Sequence, residues 1–302
     1  MGRGLLVGAS VGDPPKSPFK RGTLSRDRLA AGLIWFAVVG VAAALCWMLW
    51  DVVGQGMGVL SWEFLTGSPI DAGRAGGIAP ILVSTGLIVG VCLAVSVPLA
   101  LGTAILLVEF SGPQSRWHRW VQLSLDMLAG VPSIVFGLFG NACFSKLFGL
   151  GFSILAGGLT LACMVLPILI RSTQVGLRAV PEDYRRSGAA LGLSRLAVLR
   201  RVLLPMALPG IVAGLLLGIG RAIAETAALI FTSGYVDRLP SSLLDSGRAI
   251  SVHIFDLAMN IPGGESMAYG SALVLVLALV GINTLVSLLA DWWRRVWLGG
   301  VS

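Results

Sequence analysis

Residues 29–50 read LAAGLIWFAVVGVAAALCWMLW, and residues 76–108 read GGIAPILVSTGLIVGVCLAVSVPLALGTAILLV. Neither run holds a charged residue. As a helix, the first crosses about 30 Å of hydrocarbon at about 1.5 Å per residue. The second is longer than one crossing needs, so its first residues are expected in a loop or at the interface. Pro98 predicts a kink in it, with neighbours satisfying the freed carbonyl. Four more such runs follow: Val121–Phe144 with Asp126, Gly151–Ile170, Ile211–Thr232 with Arg221 and Glu225, and Ser271–Ala290. A cleaved signal peptide is the alternative for the first run. Its apolar core would span about 7–15 residues before a small-residue site, whereas this run ends Cys46-Trp-Met-Leu-Trp50. The chain reads as an all-α, polytopic integral membrane protein with six transmembrane helices.

Composition agrees. Of 302 residues, 56% are hydrophobic and 12% charged, and the mean hydropathy is +0.87. Soluble domains carry about 25% charge. Half that density cannot cover a globule, which excludes a soluble enzyme, a disordered chain and a disulfide-rich module. The net charge of +7 would point to nucleic acid in a soluble protein. Here its distribution follows topology. Seventeen of the 22 basic residues fall in the 1–28 tail, between spans two and three, between spans four and five, or after span six. Arg74, Lys146, Arg238 and Arg248 fall on the other side, and Arg221 within the membrane. Basic loops stay cytoplasmic, so both termini are expected in the cytoplasm, with membrane lipid and not nucleic acid as the surroundings. Trp47, Trp50, Trp117, Trp120, Trp292, Trp293 and Trp297 sit at span ends, as an interfacial belt does.

The expected organisation is a flexible basic tail over 1–28, one six-helix membrane domain over 29–295, and a short tail over 296–302. A cytoplasmic loop spans 172–205 and a long external loop spans 234–270. Cys46, Cys92, Cys143 and Cys163 lie in apolar runs with no metal-site spacing, so they read as small buried hydrophobes and no metal is expected. His118 and His253 read as surface or headgroup residues. A short helix is expected near 250–259.

The 172–205 loop is the most informative. Pro181 suits a first helical position, with Glu182 and Asp183 in the positive first turn. Gly192 suits a left-handed helix end, and Ser194 suits an N-cap. A helix over 182–190, a tight turn, and a second helix over Arg195–Leu204 ending at Pro205 are expected. Such a loop either anchors topology or docks a cytoplasmic partner. Its spacing resembles the E-A-A-x3-G-x9-I-x-L-P loop of permease subunits of ATP-binding-cassette importers. Here it reads Arg186-Ser187-Gly188, then Gly192, then Val202-Leu203-Leu204-Pro205, led in by Val180-Pro-Glu-Asp-Tyr184 and Arg185. Arg186 stands where the family has Glu. The resemblance implies a MetI-like permease fold whose loop sits in a groove of a cytoplasmic ATPase dimer. No Walker A pattern surrounds Lys16, Lys20 or Lys146. The chain is therefore expected to be no enzyme and to bind no cofactor, with ATP and Mg on the separate subunit.

Arg221 and Glu225 are the sharpest chemical signal. A mid-membrane Arg costs at least about 2.5–3.5 kcal/mol. Glu225 at i+4 shares its face. The two read either as an ion pair that locks the bundle or as part of an anion path, since the guanidinium fork suits phosphate. Asp126 either pairs with Arg221 or serves near the cytoplasmic interface, and the second is favoured. The stretch Gly220-Arg221-Ala-Ile-Ala-Glu225-Thr226-Ala-Ala-Leu229 resembles the G-R-A-x-G-E-T-A-P-L stretch of phosphate-importer permeases, closest to the PstA type. Ala228 in place of Pro predicts a straighter span five. Leu128–Phe139, with Gly130, Pro132 and Ser133 suited to a broken, path-lining helix, is similar to that family's third span. The resemblance implies a phosphate path through Arg221, Glu225 and Thr226. It also implies a second six-span permease as heterodimer partner, an external substrate-binding protein, and a multi-pass location in the inner (plasma) membrane. Another oxyanion (molybdate, sulfate or phosphonate) and a non-transporting scaffold or sensor are the alternatives. Gly210, Gly214 and Gly218, and Gly86 and Gly90, repeat every four residues. Such faces permit close helix approach, here expected within the chain in preference to an interface with the second permease.

Overall fold

The computed structural model describes residues 23–112 and 115–298. Of the expected tails, 1–22 and 299–302 lie outside the described residues. Two compact units divide the chain at Asp51/Val52. The first is the greater part of α1 (Thr23–Gly56), an apolar helix that starts before Leu29. Cys46 within it is exposed, against the expectation of a buried thiol.

The second unit carries the rest. Helix α2 (Trp62–Thr66) and a hairpin of β1 (Pro69–Ile70) with β2 (Ala75–Gly76) precede α3 (Ala79–Ile105). A π-helical turn, Leu106–Phe110, extends α3. Next come α4 (Arg116–Gly130) and α5 (Ser133–Gly140), the latter extended by a π-helical segment over Asn141–Leu147. Helices α6 (Ile154–Arg178), α7 (Glu182–Ala190) and α8 (Arg195–Val198) follow. A π-helical turn, Leu199–Leu203, joins α8 to α9 (Leu204–Ile223). The chain closes with α10 (Ala227–Ile230), α11 (Ile250–Met259) and α12 (Glu265–Leu298). Among the described residues five helical stretches are long and apolar enough to span a membrane, or six if the bent pair α4–α5 is one span.

The third span, expected over Val121–Phe144, is broken where Gly130 and Pro132 suggested, into two segments bent by 104°, with Val131 and Pro132 extended between them. The residue before a proline avoids the α region, which accounts for the break. Two expectations are corrected. The second helix of the 182–204 segment does not stop at Pro205 but runs on through the π-helical turn Leu199–Leu203 into α9, and the wider turn just before Pro205 accommodates a residue that has no N–H to donate. Span five ends at Ile223, short of Thr232.

Helix α6 is the axis of the core and is buried along most of its length. Helix α9 meets it along the small-residue face expected. A Cβ on Gly210 would lie 2.5 Å from the Gly176 Cα, one on Gly214 2.6 Å from the Ser172 Cβ, and one on Gly218 2.8 Å from Val165 Cγ1. The Ser172 hydroxyl donates to the Gly210 carbonyl at 2.7 Å. Gly86 and Gly90 behave differently. A Cβ on either meets no atom within 4 Å, and both border an apolar cavity of about 350 Å³ between α3, α9, α11 and α12. The expected intrachain packing therefore holds for the α9 glycines and fails for this pair.

Candidate translocation site

Arg221 lies in the last turn of α9. The helix stops because the chain turns at Ala224–Thr226 and restarts as α10, with Thr226 as the first residue before it. Two polar contacts hold this break. The buried Glu225 carboxylate accepts from the Ala228 N–H at 3.3 Å, and the Ser251 hydroxyl, from α11, donates to the Glu225 carbonyl at 2.6 Å. The straighter span expected from Ala228 is therefore not found.

Arg221 and Glu225 do pair, Nη2 to Oε2 at 3.4 Å, with side-chain exposures of 49% and 5%. The pairing crosses a helix end and is not the i+4 contact of a continuous helix. Its other neighbour fixes its depth. Arg221 Nη2 lies 4.0 Å from Met164 Sδ. Met164 stands about 15 Å from one end of α6 and about 21 Å from the other. The charge is thus held near mid-helix, half open, with one carboxylate beside it. Thr226 is half-buried at the same break.

The break after Gly130 and Pro132 is brought to the same region through α5. A Cβ on Gly137 would lie 2.9 Å from the Ala228 Cα, and the Asn141 amide donates to the Phe231 carbonyl at 2.7 Å. Two interrupted helices therefore pack on each other. Among the described residues no hydrogen bond or ion pair joins Gly130, Pro132 or Ser133 to Arg221. Asp126 pairs with Arg171 of α6 and not with Arg221.

The α7–α8 segment forms as expected. Gly192 has φ +70°, and the Ser194 hydroxyl accepts from the Ala197 N–H at 3.2 Å. Gly188 is buried, and a Cβ there would lie 2.5 Å from Val198 Cγ2, so the alanine of the importer pattern would crowd this turn. Leu204 and Pro205 lie inside the continuous helix. Tyr184, Arg186, Ser187, Leu191, Leu193 and Leu196 are exposed. A basic rim thus surrounds open leucines on this segment. Arg185 turns inward: its guanidinium grips Glu109 and donates to the Val180 and Leu177 carbonyls at 2.9 and 3.0 Å. Hydrogen bonding to Glu109 raises the Arg185 pKa above its ordinary value.

The loop over 234–270 is also less peripheral than expected. His253 is buried in α11, with Nδ1 3.4 Å from Arg248 Nη1. Arg248 bridges Asp256 at 3.4 Å and donates to the Tyr235 carbonyl at 2.8 Å. Burial first, and Arg248 second, push the His253 pKa down to about 4. Glu109, Asn141, Met164 and Ser251 carry no motif. Glu109 alone had a signal, as the one acid closing the apolar run that begins at Gly76.

The family described as "Binding-protein-dependent transport system inner membrane component" matches residues 96–296. The chain is 30% identical over 272 residues to the probable ABC transporter permease protein YqgI of Bacillus subtilis, covering 85% of this chain and 92% of that one. It is 32% identical over 295 residues to the phosphate transport system permease protein PstA 2 of Mycobacterium bovis, covering 94% and 95%. A bacterial ABC transporter involved in alginate import shares the fold, with TM-score 0.61 at 13% identity over 89% of this chain and 97% of that one. The MetNI methionine transporter shares it at 0.53 and 14% over 72% and 94%. With its spans, its broken helices and these relatives taken together, the chain belongs to the binding-protein-dependent transport family, as a multi-pass inner-membrane permease subunit of an ATP-binding-cassette importer.

Proposed function

We propose that the subunit forms half of the path of an importer of inorganic phosphate. A second permease supplies the other half, an external binding protein delivers the anion, and an ATPase dimer in the cytoplasm docks on α7–α8. Both termini face the cytoplasm in this reading. The observation that carries it is the half-open Arg221 guanidinium near mid-helix. Glu225 offsets its charge enough to make it tolerable in the membrane, yet the fork keeps donors free for a tetrahedral oxyanion. The likeness to PstA proteins favours phosphate among such anions. ATP hydrolysis on the partner would move α7–α8, and the two permeases would rock about Arg221 in alternating access.

Uptake of labelled phosphate in a strain lacking the chain, restored by the wild type or by variants, tests this. Sulfate and molybdate serve as competitors. Arg221→Ala is expected to abolish uptake with the complex assembled normally. Arg221→Lys is expected to restore little, because a point charge lacks the fork. Unchanged phosphate uptake in the deletion strain overturns the phosphate reading. Uptake by Arg221→Ala equal to wild type overturns the path.

A further inference from the structure

Arg171 and Asp126 form a second pair of the same make-up as Arg221 and Glu225. An Arg171 Nη2 hydrogen donates to Asp126 Oδ1, joining α6 to α4. Arg171 lies seven residues beyond Met164 on α6. Two helical turns put both on one face, about 10 Å apart along the axis. Since Arg221 rests against Met164, the two guanidinium groups follow one another along one side of α6. Arg221 comes first, and Arg171 stands nearer the end that leads into α7.

The two carboxylates are held differently. Glu225 is buried and also accepts from a backbone N–H, so it stays in place. Asp126 is 62% exposed and Arg171 45% exposed, and among the described residues Arg171 is the partner that Asp126 has. An open ion pair adds little to the stability of a fold. As a strap between α4 and α6 the pair is therefore a poor bargain. As a place where an anion exchanges with a loosely held carboxylate, its openness is required.

We propose that Arg171 is a second anion-binding station, which receives the oxyanion after Arg221 on its way to the cytoplasm, with Asp126 as the displaceable counter-ion. The inference rests on the path reading above and deepens it. When the anion arrives it displaces the Asp126 carboxylate from the guanidinium. When it leaves, Asp126 returns, so the station does not trap its cargo. Binding that is favourable but weak and spread over several sites is what conduction needs.

The complete importer in proteoliposomes, with loaded binding protein outside and ATP inside, provides the test. The probes are labelled phosphate, sulfate and molybdate, alongside the binding-protein-stimulated ATPase rate. R171Q is expected to lower uptake about tenfold or more, the effect of losing one charge-assisted contact to the moving anion, with stimulated hydrolysis kept. D126N keeps the guanidinium but removes the returning carboxylate, and is expected to slow release of the anion and to lower uptake by less than R171Q does. The swap R171D with D126R restores the pair but moves the charge to α4, and is expected to stay inactive. R171K preserves the charge and carries the same test if R171Q does not assemble, with a loss of about three- to tenfold expected for the missing fork. Recovery of uptake by the swap assigns the pair to structure and overturns the station. So does uptake by R171Q, or by R171K in its place, equal to wild type. A wild-type complex that moves sulfate or molybdate but not phosphate overturns the phosphate reading alone, and the variants are then compared with that anion. A wild-type complex that moves none of the three overturns the path, and the station with it.

Discussion

Arg185 grips Glu109 side-on, with Nε 3.1 Å from Oε2 and Nη2 2.6 Å from Oε1. The pair joins α7 to the π-helical turn that ends α3, 76 positions away in sequence. The remaining guanidinium donors reach the carbonyls closing α6. One side chain therefore fastens α7 to the ends of two long apolar helices, α3 and α6. Both partners are largely shielded, so the contact is worth more than a surface pair, about 1.5–3 kcal/mol. Arg185→Gln and Glu109→Gln are each expected to leave the complex assembled but to lower uptake per ATP hydrolysed. A double-mutant cycle on thermal unfolding of the complex checks the coupling: additive effects of the two changes would show that the grip carries no energy.

The glycine faces predict opposite outcomes. Gly210 and Gly214 stand against backbone and Ser172 of α6 at distances no Cβ can adopt. Gly214→Leu is expected to separate α6 from α9 and to leave little folded protein in detergent, measured by size-exclusion recovery. Gly86→Leu points into the apolar cavity beside α3. It is expected to leave the monodisperse yield of the subunit unchanged.

The spans and the α7–α8 turn could be read from residues because each is locally determined. Uncharged runs have nowhere to go but hydrocarbon, Gly192 marks a left-handed position, and Ser194 caps its own helix. The break after Ile223 was hidden for the opposite reason. Nothing in Arg221–Leu229 forbids a helix, and the interruption is held by a hydroxyl on α11 and by Glu225 turning to Ala228. Spacing showed that Gly86 and Gly90 invite close approach, but not that the chain leaves the place open. His253 looked external because it stands in a loop among acids. Arg248 and Asp256 fold that loop inward and take the histidine with them.

Ser251 links α11 to the helix break at Glu225. Removing its hydroxyl leaves the Glu225 carbonyl buried and unpaired, which costs about 1–3 kcal/mol. Ser251→Ala is expected to lower the thermal midpoint of the complex by a few degrees and to lower uptake more than assembly. Ser251→Thr keeps the hydroxyl and is expected to restore both. Equal uptake by wild type and the alanine variant, at equal protein level, would remove the link.

The buried His253 predicts an acid-sensitive fold. Its pKa falls from 6.5 in the unfolded chain to about 4 in the folded one. Between these values the unfolded chain binds the proton and the folded chain does not, so stability rises with pH across that window. The protein is therefore expected to hold full stability above about pH 6.5 and to lose up to about 3 kcal/mol as pH falls toward 4. Arg248 opposes the incoming charge, while Asp237 and Asp256 partly favour it. Asp245 is held below the ordinary carboxylate range by the Ser241 hydroxyl and by backbone N–H groups, so it titrates below this window. His253→Asn keeps an acceptor near the Nδ1 position without a proton to gain. Thermal midpoints in detergent at pH 7.5, 5.5 and 4.5 should fall less steeply for that variant than for the wild type. Parallel slopes would assign the acid loss to carboxylates elsewhere in the chain.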